Sequence, residues 1–180
     1  RDSVLVSAHL GARDGDGGQN PGNHFWWQGK FYSRTGRTPD LPLFVESTGY
    51  GTGEGLCGWN CRHSFGPGDL RHNPYAQFDA EENKRAFDLS QKQRGKESRI
   101  RRTKTKLVGL RTAIEAAEDA GVKATLEAQY TRTAKLLEKQ NLDYNQFCED
   151  NGLPRLSDRI QIAKWTREDA RKSIAAARSK

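Results

Sequence analysis

Between Gly49 and His63 the chain reads Gly-Tyr-Gly-Thr-Gly-Glu-Gly-Leu-Cys-Gly-Trp-Asn-Cys-Arg-His. Glycines alternate at 49, 51, 53 and 55, and Cys57, Cys61, Arg62 and His63 follow them. Glycine reaches backbone conformations closed to other residues and permits close approach, so the run reads as a shaped site or a tight structural corner. Three of the four histidines stand beside other polar groups in this part of the chain: His9 near Arg13, His24 near Gln28 and Lys30, and His63 next to Arg62. Two chemistries suit these residue types. Thiolates and imidazoles favour tetrahedral zinc, and Cys57-x3-Cys61-x-His63 falls within the spacing of such sites. Alternatively, two imidazoles act as general base and general acid on an RNA phosphodiester without a metal. His9 and His24 are then the pair, in a cluster with His63, and Arg13, Lys30 or Arg62 stabilises the developing charge. Opposed to both is a structural role, in which buried histidines and arginines tie loop carbonyls together. The Gly-x-Gly-x-Gly pattern is not a nucleotide fingerprint, because it lacks the Lys-Ser/Thr ending of a P-loop and no helix follows it.

The elements that must hold these residues are few. Only 34% of the 180 residues are hydrophobic, and the mean hydropathy is −0.92. A small core with exposed helices fits that balance. No apolar run is long enough for a membrane span. Three cysteines do not make a disulfide framework, and Cys148 reads as a small buried hydrophobe. Charge and glycine divide the chain. Residues 1–75 hold seven basic and seven acidic residues, whereas residues 76–180 hold 23 basic and 16 acidic ones. Fourteen of the eighteen glycines precede residue 76. The composition therefore predicts an α+β chain: a compact, irregular β-containing domain over 1–75, then a basic helical region over 76–180.

In the first region Val4–Ala8, Phe25–Trp27 and Lys30–Ser33 read as strands, Asp14–Asn23 as a flexible surface loop, and Leu41–Val45 as a short apolar segment. Trp26, Trp27 and Trp59 are expected in the core. Helix begins at Asp79, where Glu82 stands three residues on as in a capping box. Ile100, Leu107, Leu110, Ile114 and Ala117 then form an a/d seam. Leu126, Tyr130, Thr133 and Leu137 repeat the spacing, which predicts an antiparallel hairpin over about 80–141. Gly121 is expected to stop its first helix. Asp143 and Gln146 suggest a separate short helix ended by Gly152 and Pro154, and Thr166 with Asp169 starts a last one.

Eight basic residues crowd positions 92–106: Lys92, Arg94, Lys96, Arg99, Arg101, Arg102, Lys104 and Lys106. Without interleaved aromatics they do not form a base-stacking platform. Either they are a solvated helix face, or they contact DNA or RNA phosphates or an acidic protein surface.

Several of these motifs together resemble the phage minor capsid protein 2 family. They are Ser7-Ala-His9-x-Gly-Ala-Arg13, His24 followed by Trp27-Gln-Gly-Lys30, and the block from Thr48 to His63. The hairpin and its close from Phe147 to Pro154 resemble that family's C-terminal part, so this chain looks like the C-terminal portion of a longer polypeptide. The resemblance implies a minor component of a tailed-phage head, assembled in the host cytoplasm and associated with the portal and capsid proteins. Related head proteins sometimes carry toxin-like nuclease domains of the barnase, EndoU and RelE type, which adds weight to the metal-independent ribonuclease reading as the alternative. Asp14–Asn23 is an insertion relative to the family's short link after the arginine, and His24 is expected to return to its usual place with the loop bulging outward. No cofactor is required on this reading, with zinc on Cys57, Cys61 and His63 as the alternative.

Overall fold

The computed structural model describes residues 2–179. It is an α+β chain of two compact units, divided between Ser90 and Gln91. The first unit is built on a three-stranded antiparallel sheet in the order β2-β1-β3. Strand β1 (Ser3–Val6) is central, flanked by β2 (Phe31–Ser33) and β3 (Phe65–Pro67). Val4 pairs with Tyr32 on one side and with Pro67 on the other. Val4, Val6, Trp27, Tyr32, Phe44 and Leu56 form the core of this unit.

The aromatic segment expected as a strand is instead a one-turn helix, α1 (His24–Trp27). Asn23 caps it by accepting from the Trp26 N–H, and the turn carries His24 and Trp27 to the inside together. The Leu41–Val45 segment leads into a second short helix, α2 (Phe44–Thr48). Gly49, at φ 61°, closes it in the left-handed conformation that glycine adopts without a Cβ penalty. The glycine run that follows is a coil of turns with no regular element, closed by Leu56 N–H donating to the Thr48 carbonyl and Trp59 N–H to that of Gly53. Its compactness requires glycine at two positions. A Cβ on Gly55 would lie 2.2 Å from the Gly49 carbonyl oxygen, and one on Gly58 would lie 2.4 Å from that of Gly53. Trp59, expected in the core, is 74% exposed. Its indole lies over Gly53, on the outside of the coil.

Helix α3 (Ala80–Ala116) begins where the sequence placed it. The Asp79 carboxylate accepts from the backbone N–H groups of Glu81 and Glu82. Its first turns belong to the first unit, where the buried Asn83 side chain accepts from the N–H groups of Gly11 and Ala12 and donates to the Ala12 carbonyl.

In the second unit α3 packs against α4 (Ala120–Asp150). Gln93 reaches Cys148, and Glu97 reaches Tyr144. One number rises as the other falls, so the pair is an antiparallel hairpin. Ile100, Leu107, Ala134, Leu137, Tyr144, Cys148 and Ala177 form its core. Fully burying each of the larger apolar side chains is worth about 1.5–3 kcal/mol. Gly121 does not stop the first helix. It lies inside the first turn of α4, whose N-cap is Asp119 accepting from Val122 N–H. The separate short helix expected near Asp143 is likewise absent: α4 runs unbroken through it, and Asp143 pairs with Lys96 instead of capping. Gly152, at φ 61°, follows the end of α4. After a single 3-10 turn (Ser157–Ile160), α5 (Arg167–Arg178) packs on α4. Its start is a reciprocal capping box of Thr166 and Asp169. No helix among the described residues is long and apolar enough to cross a membrane.

Candidate functional site

The structure brings His9, His24, His63 and Arg13 together. Hydrogen bonds at the end of β1 do the gathering. Ser7 N–H donates to the Ser64 carbonyl, Gly29 N–H to the Ser7 carbonyl, and Ser64 N–H to the Ser7 hydroxyl. The segments holding His9, Gln28 and His63 are thereby laid side by side. Gln28 then joins them directly: its Oε1 accepts from the His9 backbone N–H at 3.0 Å and from His63 Nε2–H at 2.9 Å. The His9 ring stacks on His63 with centroids 4.3 Å apart, and His24 meets His63 edge-on at 5.4 Å. Trp27 walls the cluster, 4.5 Å from His24 and 4.8 Å from His63. Across the Asp14–Asn23 loop, His24 returns to Arg13. Its Nε2 lies 2.8 Å from Arg13 Nη2, and both groups meet the Glu54 carbonyl.

Burial dominates the electrostatics here. His24 and His63 are buried and His9 is half-buried. Desolvation pushes the His63 pKa down to about 3, and the neighbouring His9, His24 and Arg62 push the same way. His24 is lowered chiefly by burial, with Arg13 and His9 adding to it and the Glu54 carbonyl opposing. His9 is also lowered mainly by burial, against the hydrogen bond to its neighbour's carbonyl at Leu10. Near neutral pH the three rings are therefore uncharged. Uncharged imidazoles offer lone pairs. Trp27 packs against His24 and His63.

One ring nitrogen each from His24 and His63 and the Cys61 sulfur lie within 4.8 Å of one another, so these three residues could hold a metal ion. Cys57, expected beside Cys61 and His63, stands outside this group. It is exposed at φ 61°, with its sulfur 3.8 Å from the His63 carbonyl. Burial and the nearby Cys61 raise its pKa. Arg62 is exposed, and Lys30 lies outside the cluster, 5.5 Å above the Trp26 ring. Gln28, which in the sequence stood out only as a neighbour of His24, is the hub. Asn83, which fixes Gly11 and Ala12 between His9 and Arg13, carries no sequence signal at all.

The basic residues of α3 separate into two sets. Lys96 pairs with Asp143 at 2.5 Å and lies over Phe147; Arg101 donates to the Arg159 carbonyl; the buried Lys104 donates to the Ile160 carbonyl and lies over Trp165. Arg94 is half-buried. Lys92, Arg99, Arg102 and Lys106 are exposed. Their spacings of seven, three and four place them on one helical stripe. Among the described residues α3 carries one acidic residue between Gln91 and Ile114, the buried Glu97.

No curated protein and no solved structure matches the chain. The phage minor capsid protein 2 family matches residues 1–141, and the chain belongs to it: it is a minor capsid protein of a phage.

Proposed function

We propose that within the head this protein uses its long helix as a docking face for double-stranded DNA, at the vertex where portal and capsid proteins meet. As a minor capsid protein it is a structural component of the virion, assembled in the host cytoplasm. The observation that supports the finer reading is the separation of the α3 cations. Lys96, Arg101 and Lys104 are used inside the protein, and Lys92, Arg99, Arg102 and Lys106 are left exposed along one stripe. Fifteen residues of helix carry that stripe over about 21 Å. With no exposed carboxylate of the same helix among them, they match a row of phosphates. They present no aromatic or amide group suited to reading bases, so the contact is independent of sequence.

Fluorescence anisotropy with a labelled duplex of arbitrary sequence, over a series of salt concentrations, tests this. Four phosphate contacts give a slope of log K against log salt of about −3.6. Arg102→Ala lowers that slope by about 1, equally for unrelated sequences. No binding at low salt, or binding that ignores salt, would instead assign the stripe to an acidic protein surface of the portal or capsid. The His/Arg cluster enters this reading as scaffold, and purified protein is expected to leave RNA intact under conditions where it remains folded.

A further inference from the structure

We infer that His24, Cys61 and His63 form a zinc-binding centre in the first unit, with three protein donors and an exchangeable fourth position. The inference is independent of the DNA-docking role of α3. It starts from the tautomer of His63. Gln28 Oε1 already accepts the His9 backbone N–H, so that atom is an oxygen and can only accept from His63 Nε2. The proton of the neutral ring is thereby fixed on Nε2. The lone pair is left on Nδ1, and Nδ1 lies 3.6 Å from the Cys61 sulfur. Tetrahedral zinc, with bonds of about 2.3 Å to sulfur and about 2.0 Å to nitrogen, sets those two donors about 3.5 Å apart. The spacing is therefore already that of a coordinated pair. A hydrogen-bonded outer partner that fixes ring orientation and tautomer, as Gln28 does for His63, is the usual companion of a ligating histidine.

His24 brings the third donor within 4.8 Å of both. Trp27 packs on both rings and limits their rotation. His9 adds a third imidazole beside the centre. With Nδ1 turned to the Leu10 carbonyl, its buried Nε2 has no partner. The pocket thus holds a buried lone pair without a donor, on His9, beside the hydrogen-bonded pair of Cys61 and His63. Arg13 is the opposing charge, and its guanidinium is held on the Glu54 carbonyl. On binding, zinc takes the place of the Cys61 thiol proton, which is released to solvent, and the thiolate offsets that charge. A set of two imidazoles and one thiolate selects zinc over magnesium or calcium, which require oxygen donors.

The whole chain, expressed in zinc-supplemented medium, is expected to retain about one zinc per molecule by elemental analysis. A chelator lowers its melting temperature, and added zinc restores it. After exchange into cobalt, a thiolate-to-cobalt charge-transfer band appears. The band is lost in Cys61→Ser and kept in Cys148→Ser. A folded chain that retains no zinc and gives no such band with excess cobalt overturns the inference, as does a band that survives Cys61→Ser. If Cys61→Ser does not fold, the cobalt spectrum of the unsubstituted protein decides alone.

Discussion

Single side chains set the geometry of both units, and the most consequential are the least conspicuous in the sequence. Asn83 makes three buried hydrogen bonds to Gly11 and Ala12. Asn83→Ala leaves two N–H donors and one carbonyl without partners in a buried place, so it costs about 2–4 kcal/mol. Urea unfolding of the variant checks that value. Asp2 is the other such residue. Its carboxylate accepts from Ser33, from both the N–H and hydroxyl of Thr35, and from both of Thr38. These bonds hold its pKa well below the ordinary 3.8. The folded value is depressed, so the stabilisation is present in full above the unfolded value. It is lost as pH falls through the folded one. Melting temperatures of the parent and Asp2→Asn therefore differ most at pH 6, and the gap closes as the pH falls below about 4. The gathering of His9, His24 and His63 was not legible for the same reason as the role of Asn83. The bonds that join these residues span 19 to 57 positions, and residue spacing records only local partners. What the sequence could show was residue type, which is why spacing grouped Cys57 with Cys61 and His63, whereas the structure gathers His24 with Cys61 and His63.

Among the elements, those controlled by neighbouring residues were legible and those controlled by packing were not. Asp79 caps α3, and Thr166 with Asp169 forms a complete capping box on α5, because both signals act within one turn. Ile100, Leu107 and Leu110 are buried, as their seam spacing required. Gly121 misled because a glycine reads as a helix stop, whereas Asp119 just before it starts a new helix. Phe25-Trp26-Trp27 misled because aromatics favour strands, and the Asn23 cap with inward-facing His24 and Trp27 overrode that preference. Element-level stability follows from the same contacts. Thr166→Ala removes the hydroxyl that accepts from Asp169 N–H and costs about 1 kcal/mol. The loss is expected as faster amide exchange in the first turn of α5. Gly55→Ala places a Cβ against the Gly49 carbonyl at a distance no side chain tolerates. The coil must open, at a cost of about 1–3 kcal/mol by thermal unfolding.

For the whole molecule, composition and contacts place the internal boundary differently. Glycine and charge change near residue 75, and the compact units divide after Ser90. The difference is the start of α3. Its glycine-poor helical text belongs by composition to the helical region, yet Asn83 belongs by hydrogen bonding to the segment between His9 and Arg13. Gly11 reinforces this. Its φ is 77°, and a Cβ there would sit 3.3 Å from the backbone of Ala86 and Phe87. We propose that the independently folding part is the longer one. A fragment ending at residue 75 loses the three Asn83 bonds and exposes the Gly11–Ala12 backbone, whereas a fragment ending at residue 90 retains both. The longer fragment is expected to unfold cooperatively and to keep the near-ultraviolet dichroism of the buried Trp27. The shorter one is expected to lose that signal, or to melt well below the longer. Equal melting of the two would return the boundary to the composition change and would mean that α3 only leans on the first unit.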